Sequence, residues 1–489
     1  MGRNGSTDDY RAYRYKCSQC GHRTTRPGRS KPVEPPMRRA IPKSKRYLIT
    51  GAQNATPVHK GFWAALCVAA KALDAEIIVI PLRYRNPTSL WSASAQGDLT
   101  WAEEVLPHLF NGRLALNQNL RVLADVKTVP TASSPLTGME GLTGRESCIL
   151  GHTRLQFKTV AVPSGHQAKI LTTTGACTVP NYTDSKAGKL GSFHHSLSAL
   201  IVETDGKFFA LRQLLADKDG SFFDVADGEI RKFTHTGIEK HDRIQALNLG
   251  DVHVDNVDAK VVEATRDLIA ATKPDYIVFN DLLDGESVNP HEKGDPFLAL
   301  RKHSKHRHIV LAEVKRAIAF VANLTPADSV AIVVSSNHDD FLRRAIVSTD
   351  WRLEREPENA RFYLTTALAM LDSDISPLAM WAEKLGSSAR FLRTDESFTL
   401  SGVELSLHGH QGPNGARGSA KNLSRIGTKS TIGHSHSPVI EAGCWQAGTM
   451  SRLRLGYNTG PSSWMQTHVI QYENGKRCLI HVIDGRWRL

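Results

Sequence analysis

Five short clusters of carboxylate, amide and imidazole side chains recur along the second half of this 489-residue chain. They are Gly250-Asp251-Val252-His253, Asn280-Asp281 with Asp284 behind it, Asn337-His338-Asp339, His408-Gly409-His410 and Gly433-His434-Ser435-His436. The first three each follow directly on a run that reads as a strand. In open α/β sheets, sites collect at the carboxyl ends of strands, so the pattern constrains fold and site together. Carboxylate and amide oxygens with imidazole nitrogens suit Mn, Zn or Fe better than soft metals. Two such cations roughly 3.5–4 Å apart are a device for in-line attack on phosphate esters.

The surrounding periodicity agrees with an α/β class. Residues 246–250 predict a strand, 259–271 an amphipathic helix, 275–280 a strand, 309–323 a helix and 330–335 a third strand. Earlier in the chain, 47–50 and 76–82 predict strands flanking a helix over 60–73, a β-α-β start. The loop after the first of these strands lacks the glycine patterns of dinucleotide and P-loop sites, which excludes a nucleotide-cofactor reading there. Residues 110–245 alternate short β-type runs, such as 199–203 and 208–211, with turns. No chemistry-bearing motif stands in this stretch, and the His194-His195 pair reads as structural or surface. The expected division is a basic flexible arm (1–46), a smaller β-rich α/β domain (47–245) with an assembly or DNA-binding role, and a catalytic α/β domain (246–489).

The arm holds 13 Lys/Arg against three Asp/Glu, a net +10 of the chain's +12. Such a segment suits a polyanion, since each neutralised phosphate releases counterions; a solubilising or targeting tail is the plainer reading. Five prolines and few apolar residues predict that it is largely disordered. Within it, Cys17, Cys20 and His22 form a candidate structural zinc knuckle with the fourth ligand supplied from elsewhere. The seven cysteines are otherwise scattered singly, which predicts reduced thiols in a cytosolic compartment. No apolar run reaches the ~18 residues of a membrane span, and the polar, basic start does not read as a secretory signal.

Taken in order, the five clusters resemble the calcineurin-like metallophosphoesterases, on their nuclease side, over residues 246–489. The resemblance implies a metallophosphoesterase α/β sandwich with two divalent cations, Mn first, with Zn, Fe and Mg as alternatives. It implies that Asp251, His253 and His436 hold one ion, that Asn337, His408 and His434 hold the other, and that Asp281 bridges them. A hydroxide between the ions would then be the nucleophile. His338 would face the substrate as a catalytic group, with Asp339 orienting its imidazole. Asp284 is expected behind the ligands, as ligand orientation usually needs a supporting carboxylate; Asp255 reads as a similar support or as a helix cap. His410 is surplus to the pattern and reads as a neighbour of the ligands, a substrate contact or a structural residue. Asn280 and Ser336 replace the family's usual glycines, which raises the question of how those turns reach positive φ.

Two further basic stretches accompany the clusters. His303, His306 and His308, interleaved with Arg301, Lys302, Lys305 and Arg307, fit a metal cluster poorly and read as a basic surface segment or a phosphate contact. Arg417, Lys421, Arg425 and Lys429, beginning in a glycine-rich loop between the fourth and fifth clusters, are the candidate DNA contacts, with a helix start nearby that would favour phosphate. The whole chain also resembles the DNA-transfer proteins of tailed phages, which are associated with degrading host DNA. The expected function is therefore a two-metal DNase with DNA as partner, in a host cytoplasm, as a homo-oligomer without membrane attachment. A phosphomonoesterase or cyclic-nucleotide diesterase is one alternative, and an interaction protein with a vestigial site is another.

Overall fold

The structure, a computed structural model, describes residues 2–6, 12–20, 22–27, 37–82, 100–292, 294–456 and 458–489. A six-stranded sheet underlies the candidate site. Its order is Arg390–Phe391, Val330–Val333, Tyr276–Phe279, Ala246–Asn248, Thr467–Gln471, Arg477–His481. The first four strands run parallel, and the last two add antiparallel. The strands obey the two-residue alternation of a pleated sheet. Leu247, Ile277, Phe279 and Val333 pack against one core. Ala246, Val278 and Ile332 face the other way, onto Phe398, Val403 and Leu405.

The first core is roofed by helices. Ala259–Thr272 contributes Val261, Leu268 and Ile269, and Val310–Leu324 contributes Val314, Ile318 and Val321. These positions recur at three- and four-residue spacing, the stripe a half-buried helix needs. Asp258 caps the first helix by accepting the Lys260 amide, and Lys273 closes it in the left-handed region. Asp255, one candidate for that cap, does something else, described below.

A ten-stranded sheet forms the next layer. Its central strands run Lys429–Ile432, Cys444–Gln446, Val439–Glu441, Phe157–Val160, Lys169–Thr173 and Ser147–Leu150. Within this sheet the two halves of the chain meet in an antiparallel pairing, with Val439 opposite Lys158 and Ile440 opposite Phe157. A single apolar core accordingly draws on Ile49, Phe157 and Val202 from one half and Ile440, Trp445 and Val469 from the other. Position 245/246 thus marks a change of sequence pattern rather than a break in the sheet. The chain is mixed α/β, with more strand layering than the sequence alone suggests.

The elements expected between 47 and 82 are present as Arg46–Gln53, Lys60–Ala72 and Glu76–Leu82. Strands Ser198–Thr204 and Phe209–Leu215 pair beside them. At their junction Arg212, fully buried, donates to Asp224 at 2.7 and 2.9 Å and to Glu203 at 3.0 Å.

The arm departs from expectation. Gly2–Ser6, Ala12–Lys16 and Arg23–Pro27 form a three-stranded antiparallel sheet. Low apolar content signals a missing core, but strand pairing needs only backbone groups, and the Tyr and Thr content of these runs favours extended chain. Part of the arm's charge is also committed internally, since Arg38 pairs with Glu76 and Arg46 with Glu203.

Candidate metal centre

The ligand-bearing turns are built by continuing the parallel ladder past the strand ends. The amide of Val252 donates to the carbonyl of Asn280, His253 to Asp281 and Val254 to Leu282. This carries the first and second clusters forward side by side. The Asp251 amide donates to Gly448 and its carbonyl accepts from Met450, tying the same turn to the far strand. The Gly433 amide donates to the His408 carbonyl at 2.7 Å, which joins the fourth and fifth clusters.

The side chains converge. One ligand atom each from Asp251, His253, Asp281 and His436 lies within 4.8 Å of the others, and all four residues are buried. A second group of the same tightness is Asp281, His408 and His434. Asp281 is common to both. Its Oδ2 stands 3.6 Å from His253 Nε2 and 3.2 Å from His408 Nε2. His436 Nε2 is 3.2 Å from Asp251 Oδ2 and 3.0 Å from His253 Nε2.

The unpaired atoms fit cations. Asp251 Oδ1 and Asn337 Oδ1 are buried without a hydrogen-bond partner among the described residues, and Asp251 Oδ2 and His408 Nε2 meet His436 and Asp281, themselves candidate ligands. A buried polar atom left unsatisfied costs about 1–3 kcal/mol, and several in one place mark a site that a ligand completes. The carboxylate oxygens and imidazole nitrogens gathered here are atoms able to hold a metal ion.

The electrostatics agree. Burial would raise the Asp281 carboxyl, but the imidazoles of His408 and His338 and the neighbouring His253 hold it well below the usual range. Burial would lower His253, yet Asp284, Asp281 and Asp251 push it up to about 9. His408 is raised by Asp281 and Asp251 against the same burial penalty. Burial depresses His410 to about 4 and lowers His434 and His436, which keeps those lone pairs open. The buried carboxylates thus favour positive charge at this point, which cations would supply.

Four of the seven proposed ligands, His253, Asp281, His434 and His436, adopt positive φ between 43° and 80°. Asn280 and Ser336 do not appear among the residues in that region. The conformational demand falls on the ligands themselves, at a cost of about 1–3 kcal/mol each, and not on the positions where glycine is usual. The glycine that matters is Gly433. A Cβ there would collide with Asp251 Oδ1 and come within 3.1 Å of Asn280 Cβ.

The supporting residues are partly those expected. Asp284 Oδ1 is 3.5 Å from His253 Nδ1, and its Oδ2 accepts from Asn256 at 2.8 Å. His410 is half-buried, its ring 5.4 Å from that of His408. Asp339 differs. Its Oδ1 accepts the Leu283 amide at 3.0 Å, while His338 Nδ1 contacts the Asp284 carbonyl at 2.8 Å. Orientation of His338 therefore belongs to a backbone carbonyl, because Asp339 points back into the turn of the second cluster. Burial, then Asp281, raises the Asp339 carboxyl to about 6.

Two contributors, His468 and Trp464, have no motif signal, and Asp255, read from the sequence as a support or a helix cap, caps no helix. Asp255 is buried and takes Arg316 in a two-pronged contact at 2.7 and 2.8 Å, with Arg307 on the same carboxylate. His468 Nδ1 accepts the Gly250 amide at 3.1 Å and its Nε2 meets Thr265 Oγ at 2.9 Å, with burial lowering it to about 4. Trp464 packs edge-on to His436 at 4.1 Å between ring centres. A lone His in a strand, or a Trp in a loop, looks ordinary in sequence.

The candidate DNA contacts separate. Arg417, Lys421, Arg425 and Lys429 are all exposed. The 411–418 loop closes on itself, with the Gly412 amide on Ala416 and the Gly418 amide on His410, so Arg417 stands at a neck beside the fourth cluster. Lys429 starts the strand whose far end leads into His434. At about 3.3 Å per residue it is roughly 16 Å away along the strand, and it does not border the site. The helix nearby spans only Ala420–Leu423, and Ser419 already caps it, so it supplies no phosphate-binding end.

The zinc reading also changes. Cys17 to Cys20 form the turn between two arm strands, and the Cys17 amide donates to the His22 carbonyl at 2.8 Å. The amides of Cys20 and Gln19 hold the Cys17 thiol below its ordinary value. Cys17, Cys20 and His22 are not brought together as a ligand group among the described residues. His194 is lowered by burial, and His195 lies between Tyr182 and the Thr178 carbonyl, a structural placement.

Fold and site together define a mixed α/β protein whose parallel-strand ends carry a buried His/Asp cluster able to hold metal ions. The chain is 30% identical over 469 residues to Protein A1 of Escherichia phage T5, an alignment covering 91% of this chain and 83% of that protein. It belongs to the family of that phage protein. No protein-family model matches it, and no solved structure does. Among the described residues no helix is long and apolar enough to cross a membrane.

Proposed function

We propose that the protein is a two-metal phosphodiesterase of the metallophosphoesterase type and that DNA is its substrate. The observation that carries this reading is the sharing of Asp281 between two tight ligand groups. Asp251, His253, His436 and Asp281 would hold one cation, and Asp281, Asn337, His408 and His434 the other. When bound, the cations supply a nucleophile from water at neutral pH and neutralise charge on the phosphoryl oxygens.

The chain's own groups do the rest. Asp281, common to both ligand groups, would reduce the mutual repulsion of two cations held there. His338 donates from Nδ1 to the Asp284 carbonyl; when the imidazole also carries a proton on Nε2, that proton can pass to the departing oxygen and leave the neutral Nδ1–H tautomer behind. Arg417 at the loop neck suits a phosphate next along a strand. The basic arm and the membership of a phage protein family support nucleic acid over a small ester.

The test is incubation with linear and circular DNA plus Mn. Asp281→Ala should lose both metal and activity, whereas His338→Ala should keep metal and cut poorly. Normal digestion by both variants would overturn the assignment. A nuclease should also lose rate steeply with added salt, while hydrolysis of a p-nitrophenyl ester should barely respond.

A further inference from the structure

A second cluster of metal-binding side chains lies away from the centre just described, on the helical side of the molecule. His303, at the end of helix Pro296–Ser304, and His308, just before helix Val310–Leu324, stack with ring centres 4.4 Å apart. Both face Glu356, with each Nε2 3.8 Å from the same oxygen, Oε1. One ligand atom from each residue lies within 4.8 Å of the others. Three atoms so placed leave a point roughly 2.2–2.5 Å from each, against about 2.0–2.2 Å for zinc bound to imidazole and carboxylate. Closing onto one ion takes a shift of a few tenths of an ångström and a rotation of one imidazole out of the stack, because each nitrogen lone pair lies in the plane of its own ring.

The surroundings favour a cation in spite of the basic sequence. Of the four cations interleaved with these histidines, Lys302 is held by Glu292 at 2.6 Å and Arg307 by Asp255, which matches two of the charges. Glu356 stands at the N-cap of helix Pro357–Asp372, yet its carboxylate makes no capping bond. The three residues open onto a cavity of about 660 Å³ also lined by Trp351 and Tyr363, with room for water to complete a coordination sphere.

We propose that His303, His308 and Glu356 form a separate site for one borderline transition-metal ion, zinc by its ligand set. The ion ties the turn after the 296–304 helix to the start of the 357–372 helix. That turn carries Arg307, whose guanidinium holds Asp255 two residues from His253, so the tie also steadies the support of the main centre. The proposal is independent of the phosphodiesterase reading.

Equilibrium dialysis of the full chain against zinc, with metal counted by mass spectrometry, tests it. The double variant His303→Ala/His308→Ala should bind about one equivalent fewer than wild type. The variant Asp281→Ala/His408→Ala should lose metal from the main centre and keep that equivalent. Circular dichroism checks folding, and Glu356→Gln, which keeps shape, gives a second route: cobalt titrated into the Asp281→Ala/His408→Ala background should lose its four-coordinate visible absorption when Gln replaces Glu356. Equal zinc counts in wild type and the double histidine variant, or an unchanged cobalt spectrum, would overturn the site.

Discussion

Replacing Gly433 by Ala tests the metal centre at a point where no ligand is altered. Gly433 is not among the positive-φ residues, so alanine is conformationally acceptable and only contact matters. Its added Cβ would collide with Asp251 Oδ1. The carboxylate or its turn must withdraw by about 1 Å to restore van der Waals contact. Asp251 is wholly buried and its turn is tied to Gly448 and Met450, so the strain has no outlet into solvent. Overpacking of this kind costs about 1–3 kcal/mol, and disturbance of a ligand's support weakens metal binding by about 10–100-fold. Isothermal titration with Mn measures the affinity, and urea unfolding of the metal-free chain measures the stability. The control is Gly206→Ala, where a Cβ meets nothing within 4 Å; it should leave both unchanged or raise stability slightly. If Gly433→Ala binds Mn as tightly as wild type, the close approach to Asp251 is not what the centre depends on.

Other substitutions probe other layers. Arg212→Met leaves Asp224 and Glu203 buried without their shared cation, and urea unfolding should show a loss of about 3–5 kcal/mol; a loss below 1 would refute the network's importance. His468→Leu strips the acceptor from the buried Gly250 amide, so stability should fall by about 1–3 kcal/mol and Mn should bind more weakly, with unchanged titrations counting against the support role. His481 is buried, stacked on Phe157, and burial pushes it down to about 3. The unfolded chain therefore binds a proton first, and this group's stability is complete above about pH 6.5 and lost as pH falls from there toward 3. By pH 4.5 the loss is about 2.7 kcal/mol, and His481→Leu should flatten the pH–stability curve by that amount; parallel curves for the two proteins would contradict it.

Local pattern made much of this fold legible. The alternation in Ala246–Asn248 and Tyr276–Phe279 and the helical stripe in Val310–Leu324 lie within single elements, so they can be read one segment at a time. The clustering of Asp251, His253, Asp281, His408, His434 and His436 was legible for the same reason, since each motif occupies one strand-end turn. What escaped depends on distant partners. Phe157 meets Ile440 across the sheet, and nothing in either segment names the other. Asp255 finds Arg316 and Glu356 finds two histidines only after helices pack. Lys429 stands close to the fifth cluster in sequence but not in space, because a strand carries its two ends apart.

The pairing of Val439–Glu441 with Phe157–Val160 bears on how the protein can be handled. Val439 follows three residues after His436, so the turn bearing that ligand is braced by backbone from the amino-terminal half. Cutting the chain near residue 245 would uncover a raw sheet margin and the apolar faces of Ile440, Trp445 and Val469. Exposed margins of that sort recruit other chains. A fragment beginning at residue 246 should therefore precipitate or self-associate, and its metal-binding turns would lose their brace even though every ligand remains in the sequence.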